Sequence, residues 1–222
     1  MSAGHEAPDL GGLPPGLERV LFCFAVEQEA KYLSRAGMDI LITGMGRENA
    51  ERCLHRQLRS RVPQLVLSCG FAGGLNPYLS VGTVVFAGDE DAGLTPALLR
   101  AGACPVRFYC AERVAVTTAE KRRLWEETGA DAVEMESQII RAICRAHHIP
   151  SATIRVISDG ADENLPLDFN LFMTAEQRVH YGRLILALMM SPSRIPAILR
   201  LQRQTQLAAR RLAAVLGELV PG

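Results

Sequence analysis

Short apolar runs alternate with segments of helical periodicity along most of the chain, which is the pattern of an α/β protein. The apolar runs are rich in β-branched residues and predict buried strands. They cover residues 20–26, 39–42, 65–70, 81–86, 114–118, 131–133 and 153–157. Helices are predicted from 27 to 33, from 47 to 61, around 120–122, from 137 to 146, and over 171–190 and 195–219. We therefore expect a central sheet flanked by helices.

Residues 131–162 form one strand–helix–strand unit in which each strand stops on carboxylates. The first strand ends at Glu134, Met135 and Glu136, and the second ends at Ser158 and Asp159. In open α/β sheets, ligands bind at the carboxyl ends of the strands. Each acid taken alone is also explained by helix capping or by a turn. Their joint occurrence at one edge favours a binding site.

Two glycine-rich turns follow other predicted strands. Residues 43–46 read Thr-Gly-Met-Gly before a helix that begins near Arg47, and residues 69–75 read Cys-Gly-Phe-Ala-Gly-Gly-Leu. Glycines between a strand and a helix let the backbone approach a ligand. The first turn lacks the third glycine and the distant acid of a dinucleotide-binding fingerprint, which argues against that class.

Composition narrows the class of protein. The 222 residues have a formal net charge of zero, which argues against a nucleic-acid-binding function. The six cysteines show no metal-ligand spacing, so we predict reduced core thiols, no metal and a cytoplasmic location. Residues 1–16 have no signal-peptide pattern and predict a disordered leader. We expect one α/β domain over 17–190, followed by an amphipathic helix at 191–222.

These motifs together resemble the nucleoside phosphorylase and nucleosidase superfamily. Residues 69–75 are similar to its Thr-Gly-x-Ala-Gly-Gly-Leu run, and residues 81–86 are similar to its Val-Gly-Asp-Val-Val strand. The Met-Glu and Ser-Asp pairs occur in the family's order, so the resemblance covers residues 20–162. It implies a three-layer sandwich with a mixed central sheet, an enzyme that cleaves a purine nucleoside, and no cofactor. A non-catalytic nucleoside-binding relative is the alternative, which the presence of Glu29 and Asp159 disfavours.

The resemblance also implies roles for the acids. Asp159 would protonate N7 of the departing purine, with Ser158 orienting it. Glu136 would bind the ribose hydroxyls, and Met135 would pack against the sugar. Glu29 would activate the attacking water.

Further residues complete the predicted site. Arg155 is predicted to be a charge partner of Glu29, with a structural salt bridge as an equal alternative. The other predicted substrate-binding residues are Glu134, Gly44, Gly46, Arg47, Gly70, Phe71, Ala72 and Gly73. The base would stack on Phe71 or on a residue near 113–116.

The acceptor of the glycosyl group stays open between water and inorganic phosphate. No base precedes the turn at 69–75, where related phosphorylases carry an arginine, and this favours water. The passage 192–201 resembles the tail of phosphorylases associated with hopanoid lipid synthesis, and this favours phosphate and a lipid-linked adenosine. We expect a 5′-substituted adenosine as substrate, and a homo-oligomer.

The C-terminal segment is basic as well as amphipathic. Its arginines have no nearby acid in the sequence, and basic amphipathic helices can lie on anionic membranes. The arginines concerned are Arg194, Arg200, Arg203, Arg210 and Arg211. A helix packed on the domain with a solvated arginine face is the favoured interpretation.

Overall fold

The computed structural model describes residues 19–33, 38–172 and 194–219. It contains eight strands and five α-helices in that part of the chain. The strands are β1 Val20–Phe24, β2 Asp39–Ile42, β3 Leu65–Gly74, β4 Val84–Gly88, β5 Cys104–Pro105, β6 Phe108–Cys110, β7 Ala132–Glu134 and β8 Ser151–Asp159. The α-helices are α1 Arg47–Ser60, α2 Thr95–Arg100, α3 Thr118–Thr128, α4 Ser137–Ala146 and α5 Ile195–Leu219. No helix among the described residues is long and apolar enough to span a bilayer.

The strands form one mixed sheet in the order β2-β1-β3-β8-β4-β5. Strands β2, β1, β3 and β8 are parallel, whereas β4 runs antiparallel to β8. The end of β3 pairs antiparallel with β7, which pairs in parallel with β6. The predicted fold class is therefore confirmed.

The central strands alternate their side chains between two apolar layers. Phe22 and Phe24 of β1 pack in the core cluster that includes α5, and Leu21 and Cys23 pack in the cluster beneath α1 and α4. Strand β8 is buried along its whole length because the sheet is covered on both faces. These layers hold the ends of β1, β3 and β8 rigidly at one edge.

A register shift near the end of β3 positions that edge. The parallel pairing of β3 with β8 changes between Ala72 and Gly73, so that Gly73 lies opposite Asp159. A bulge of this kind bends a strand and changes the direction in which its side chains point. Here it brings the end of β8 against the glycine-rich end of β3.

Four predicted elements differ from the structure. The glycine-rich segment at 69–75, predicted as a turn, instead continues β3 as far as Gly74. Residues 25–33 form successive turns with i to i−3 hydrogen bonds rather than a helix. Strand β4 begins at Val84 because the backbone turns at Gly82. Residues 114–116 are not a strand, because Val114 exchanges hydrogen bonds with the Asn170 side chain instead of with a neighbouring strand. The helix predicted over 171–190 lies outside the described residues beyond position 172.

Helix α5 is part of the main core. Its buried side includes Ala208, Leu212, Val215 and Leu219, which pack among residues of β1, β3 and β8. The apolar side of the helix is therefore covered by the sheet.

Replacing Leu212 with alanine tests this packing. The side chain is fully buried, so Leu212→Ala should lower the free energy of unfolding by about 2–5 kcal/mol. Leu199→Ala on the same helix is the control, because Leu199 is 48% exposed and its truncation should cost less than about 1 kcal/mol. Chemical denaturation measures both, and equal effects would show that α5 is not packed in this way.

Candidate active site

A cavity of about 260 Å³ opens at the carboxyl ends of β1, β3 and β8. Its walls carry most of the predicted site residues together with apolar groups. The predicted residues that line it are Glu29, Phe71, Ala72, Gly73, Glu134, Met135, Glu136, Ser158 and Asp159. Four carboxylates therefore face one small, partly apolar space, which is the setting in which acids acquire unusual protonation behaviour.

Arg155 organises the acids from behind the cavity. This residue is 1% exposed and lies on β8, and its Nη2 bonds Glu134 Oε2 at 2.7 Å and Glu136 Oε2 at 3.3 Å. Nη2 also lies 3.2 Å from Ser68 Oγ, and Nη1 donates to Cys69 O at 2.7 Å. Arg155 does not line the cavity, so the structural salt bridge is the interpretation that the geometry supports.

Glu134 ends β7 and caps α4. Its carboxylate accepts the backbone N–H groups of Glu136 and Ser137 and the Ser137 hydroxyl, at 3.0, 2.8 and 2.7 Å. Burial raises the pKa of Glu134, but Arg155 and the Ser137 hydrogen bonds outweigh burial and hold it below its ordinary value. The carboxylate of Glu134 is therefore the stably ionised partner of the guanidinium.

Glu136 is the less stabilised acid of the pair. Its Oε1 accepts the Gly46 N–H at 2.8 Å, which connects the glycine turn at residues 43–46 to the site. Burial and the neighbouring Glu134 raise the pKa of Glu136 to about 7, although Arg155 opposes the rise. Glu136 can therefore change its charge near neutrality.

Glu29 is held by the turn that follows β1. Its Oε2 accepts the N–H groups of Ala25 and Val26 at 2.9 and 3.1 Å, and its Oε1 accepts that of Phe71 at 2.8 Å. Burial raises its pKa, against the effects of Arg155 and the backbone donors. Any side chain at Gly70 would collide with this carboxylate, since a Cβ there would lie 2.5 Å from Glu29 Oε1. Gly70 is thus required for the close approach of β3.

Asp159 lies at the other end of the cavity and is ion-paired. Its Oδ1 accepts the Ser158 hydroxyl at 2.6 Å, and its Oδ2 accepts the Lys121 ammonium at 2.6 Å. Gly70 and Gly73, which contact Glu29 and Asp159 respectively, are three residues apart on β3. At 3.3 Å per residue this places the two acids about 10 Å apart along the strand.

Besides Arg155, four predicted residues lie outside the cavity wall. Gly70 separates Glu29 from Arg155, and Gly44 and Gly46 adopt positive φ angles in the turn before α1. Only the Gly46 N–H of this turn bonds a site carboxylate. Arg47 lines a separate neighbouring cavity of about 360 Å³.

Sequence reasoning missed part of the site. Lys121 is not among the predicted site residues, although it approaches Asp159 from α3. Leu201 and Thr205 of α5 also line the cavity, as do Phe169 and Val114. Phe71 and Phe169 are the aromatic residues of the wall. Lys121 could have been suspected because the helical segment 118–128 places it on a face that must pack on the domain.

Comparison with known proteins now identifies the family. A family model described as the phosphorylase superfamily matches residues 29–109 and 99–189. The chain belongs to the phosphorylase superfamily. It is an enzyme of the nucleoside phosphorylase and nucleosidase type, as the resemblance implies.

Relatives of this superfamily include a 5′-methylthioadenosine/S-adenosylhomocysteine nucleosidase of Glaesserella parasuis. It is 26% identical over 192 residues, which covers 72% of this chain and 82% of the relative. The Neisseria meningitidis nucleosidase of the same name, solved with methylthio-immucillin-A, superposes with a TM-score of 0.65 at 21% identity over 91% of this chain and 98% of that one. Futalosine hydrolase of Helicobacter pylori superposes with a TM-score of 0.62 at 15% identity, over 91% of this chain and 99% of that one. The structural likenesses support the fold.

Removing Arg155 tests its position at the centre of the site. Arg155→Met leaves buried carboxylates without their partner and should lower the free energy of unfolding by about 3–5 kcal/mol. Arg122→Met is the control, because Arg122 is paired only with Glu126 on the surface of α3 and should leave stability unchanged. Urea denaturation at pH 7 measures both. A small loss for Arg155→Met would contradict the network.

The raised pKa of Glu136 predicts a pH dependence of stability. Because its pKa rises from 4.5 to about 7 on folding, its favourable contribution is fully present below pH 4.5 and is lost as the pH rises through 7. The free energy of unfolding of the wild-type protein should therefore fall between pH 5 and pH 8. In Glu136→Gln this fall should be smaller by about 1–3 kcal/mol. Glu27→Gln, at an exposed position, should show the same dependence of unfolding free energy on pH as the wild-type protein. An unchanged slope in Glu136→Gln would contradict the assignment.

Proposed function

We propose that this enzyme cleaves the N-glycosidic bond of a purine nucleoside, a 5′-substituted adenosine, with water as the acceptor. The nucleosidase relatives support the type of bond and of nucleoside. The observation that carries the choice of water is the acidic cavity, beside which the terminal nitrogens of the central cation, Arg155, already have protein partners.

Bond cleavage builds positive charge on the sugar and negative charge on the base. Glu136 and Glu29 both line the cavity, where carboxylates stabilise a cationic ribosyl group. Asp159, at the end opposite Glu29, meets the base. Glu136 accepts hydrogen bonds from the ribose hydroxyls, and Met135 packs on the sugar. The three parts of the reaction thus correspond to three parts of the cavity.

Glu29 is suited to activate water. It lies at the end of the cavity opposite Asp159, and burial raises its pKa towards the pH at which a general base works best. Its backbone donors fix both oxygens in direction. Proton abstraction by Glu29 leaves hydroxide to attack C1′ of the sugar.

Phosphate is disfavoured by the charges around the cavity. A phosphate acceptor needs a cation that is free to bind it, but both terminal nitrogens of Arg155 already have protein partners. Among the described residues, Arg113 is the only arginine in the cavity wall, and it is ion-paired with Glu120. A phosphate would therefore meet several carboxylates and no cation that is free to pair with it.

The neighbouring cavity supports a substituent on the 5′ carbon. It shares Arg113, Ala115 and Met135 with the main cavity and extends towards Arg47 and Arg123. Because Met135 packs on the sugar in this proposal, the additional space adjoins the ribose rather than the base. Its charged lining favours a polar substituent over a purely aliphatic one.

Glu29→Gln tests the hydrolytic mechanism. The amide keeps the shape of the side chain but cannot take a proton, so kcat for purine release should fall by about 10²–10⁴-fold while KM changes little. Glu27→Gln, two residues away and exposed, is the matched control and should retain wild-type turnover. Release of the base from adenosine and its 5′-substituted analogues, measured by chromatography, gives both constants. Full turnover in Glu29→Gln would remove it from the role of base.

A further inference from the structure

Lys121 is a buried lysine with three protein acceptors. It is 0% exposed, and its Nζ lies 2.6 Å from Asp159 Oδ2, 2.7 Å from Gly160 O and 3.0 Å from Glu163 O. Taking an ammonium and a carboxylate out of water costs several kcal/mol per ion, so a buried pair is weak evidence for stability alone. An apolar residue would anchor α3 to the loop after β8 at lower cost. The pair therefore calls for a function.

The ion pair bears directly on how Asp159 works. An ammonium at 2.6 Å favours the ionised carboxylate, and an ionised carboxylate has no proton to give to a leaving group. Ser158 bonds the other oxygen, so Asp159 Oδ2 faces a single charged donor, Lys121. The proton that the base needs lies on that donor.

We propose that Lys121 holds the proton that Asp159 delivers to the purine leaving group, an inference that rests on the proposed cleavage of a purine nucleoside. As the C1′–N9 bond breaks, its electron pair goes to the purine. The Lys121 ammonium transfers a proton to the Asp159 carboxylate, and the carboxyl group so formed gives a proton to N7. Lys121 is left as a neutral amine, and solvent reprotonates it after the base leaves.

The two charge states of Lys121 differ in one hydrogen bond. As an ammonium, it has three N–H donors for the three acceptors around it. As a neutral amine, it keeps two donors for the Gly160 and Glu163 carbonyls, and the bond to Asp159 is lost until solvent restores the third proton. Lys121 acts through Asp159, so it is a positioning residue and proton source that does not touch the base.

Other charged groups lie around the Lys121–Asp159 pair without contacting the Asp159 carboxylate. Glu120 precedes Lys121 on α3 and pairs with Arg113, and Glu163 accepts the Gly160 N–H and the Gln204 side chain. Asp162 lies beside Gly160, and Arg200 of α5 lines the small cavity next to Asp159. Lys121 is the cation in direct contact with the Asp159 carboxylate.

Two replacements of Lys121 separate a proton source from a simple charge. Lys121→Met leaves Asp159 to take its proton from solvent, so kcat should approach the wild-type value at pH 5 and fall at least about 10²-fold below it at pH 8.5. Lys121→Arg keeps the charge but cannot release a proton. Its purine release should therefore be about 10²–10⁴-fold slower than that of the wild-type enzyme from pH 5 to pH 8.5. Lys31→Met, at the other lysine and exposed, should keep the wild-type profile.

A riboside with a nitrophenolate leaving group is the internal control, because that group departs without a proton. Both Lys121 variants should cleave it within about threefold of the wild-type rate. Higher purine turnover in Lys121→Arg than in Lys121→Met at pH 5 would overturn the proposal and leave a purely electrostatic role. Equal losses on both substrates would also overturn it and show a structural role. If the wild-type enzyme itself released no purine, the proposed function would fail instead.

Discussion

One buried guanidinium determines the geometry of this site. Arg155 carries a single positive charge, yet Glu134, Glu136 and Glu29 are all buried around it. Ionising all three would leave an excess of negative charge in a space of low dielectric, which is costly. The chain reduces that cost unequally, with many hydrogen bonds to Glu134 and few to Glu136. The site therefore holds one fixed carboxylate and two whose pKa values burial raises.

The two ends of the cavity differ in the groups that stabilise their carboxylates. At the Glu29 end, backbone N–H groups orient a carboxylate whose raised pKa suits proton abstraction. At the Asp159 end, a buried ammonium and a hydroxyl hold a second carboxylate. An acceptor of protons at one end and a supply of protons at the other are what cleavage of a glycosidic bond requires. The glycines of β3 allow both acids to approach the strand.

Much of this arrangement follows from local sequence. The strands β1, β3 and β8 and the acids at their ends were predictable, because apolar runs that stop on polar residues mark the carboxyl ends of buried strands. The turns after β1 were mistaken for a helix because Glu29 folds back to accept the N–H groups of Ala25 and Val26, a contact that periodicity does not reveal. Lys121 and Leu201 were missed because their positions depend on how α3 and α5 pack. Contacts between distant segments leave no period in the sequence.

The acceptor is the claim on which the functional account depends, and isotope labelling tests it most directly. The wild-type enzyme would cleave a 5′-substituted adenosine in H₂¹⁸O, with and without inorganic phosphate. Mass spectrometry would then locate the label. Hydrolysis predicts free adenine and a free pentose with ¹⁸O on C1, at a rate that phosphate does not change. A sugar 1-phosphate without the label, formed only when phosphate is added, would contradict it.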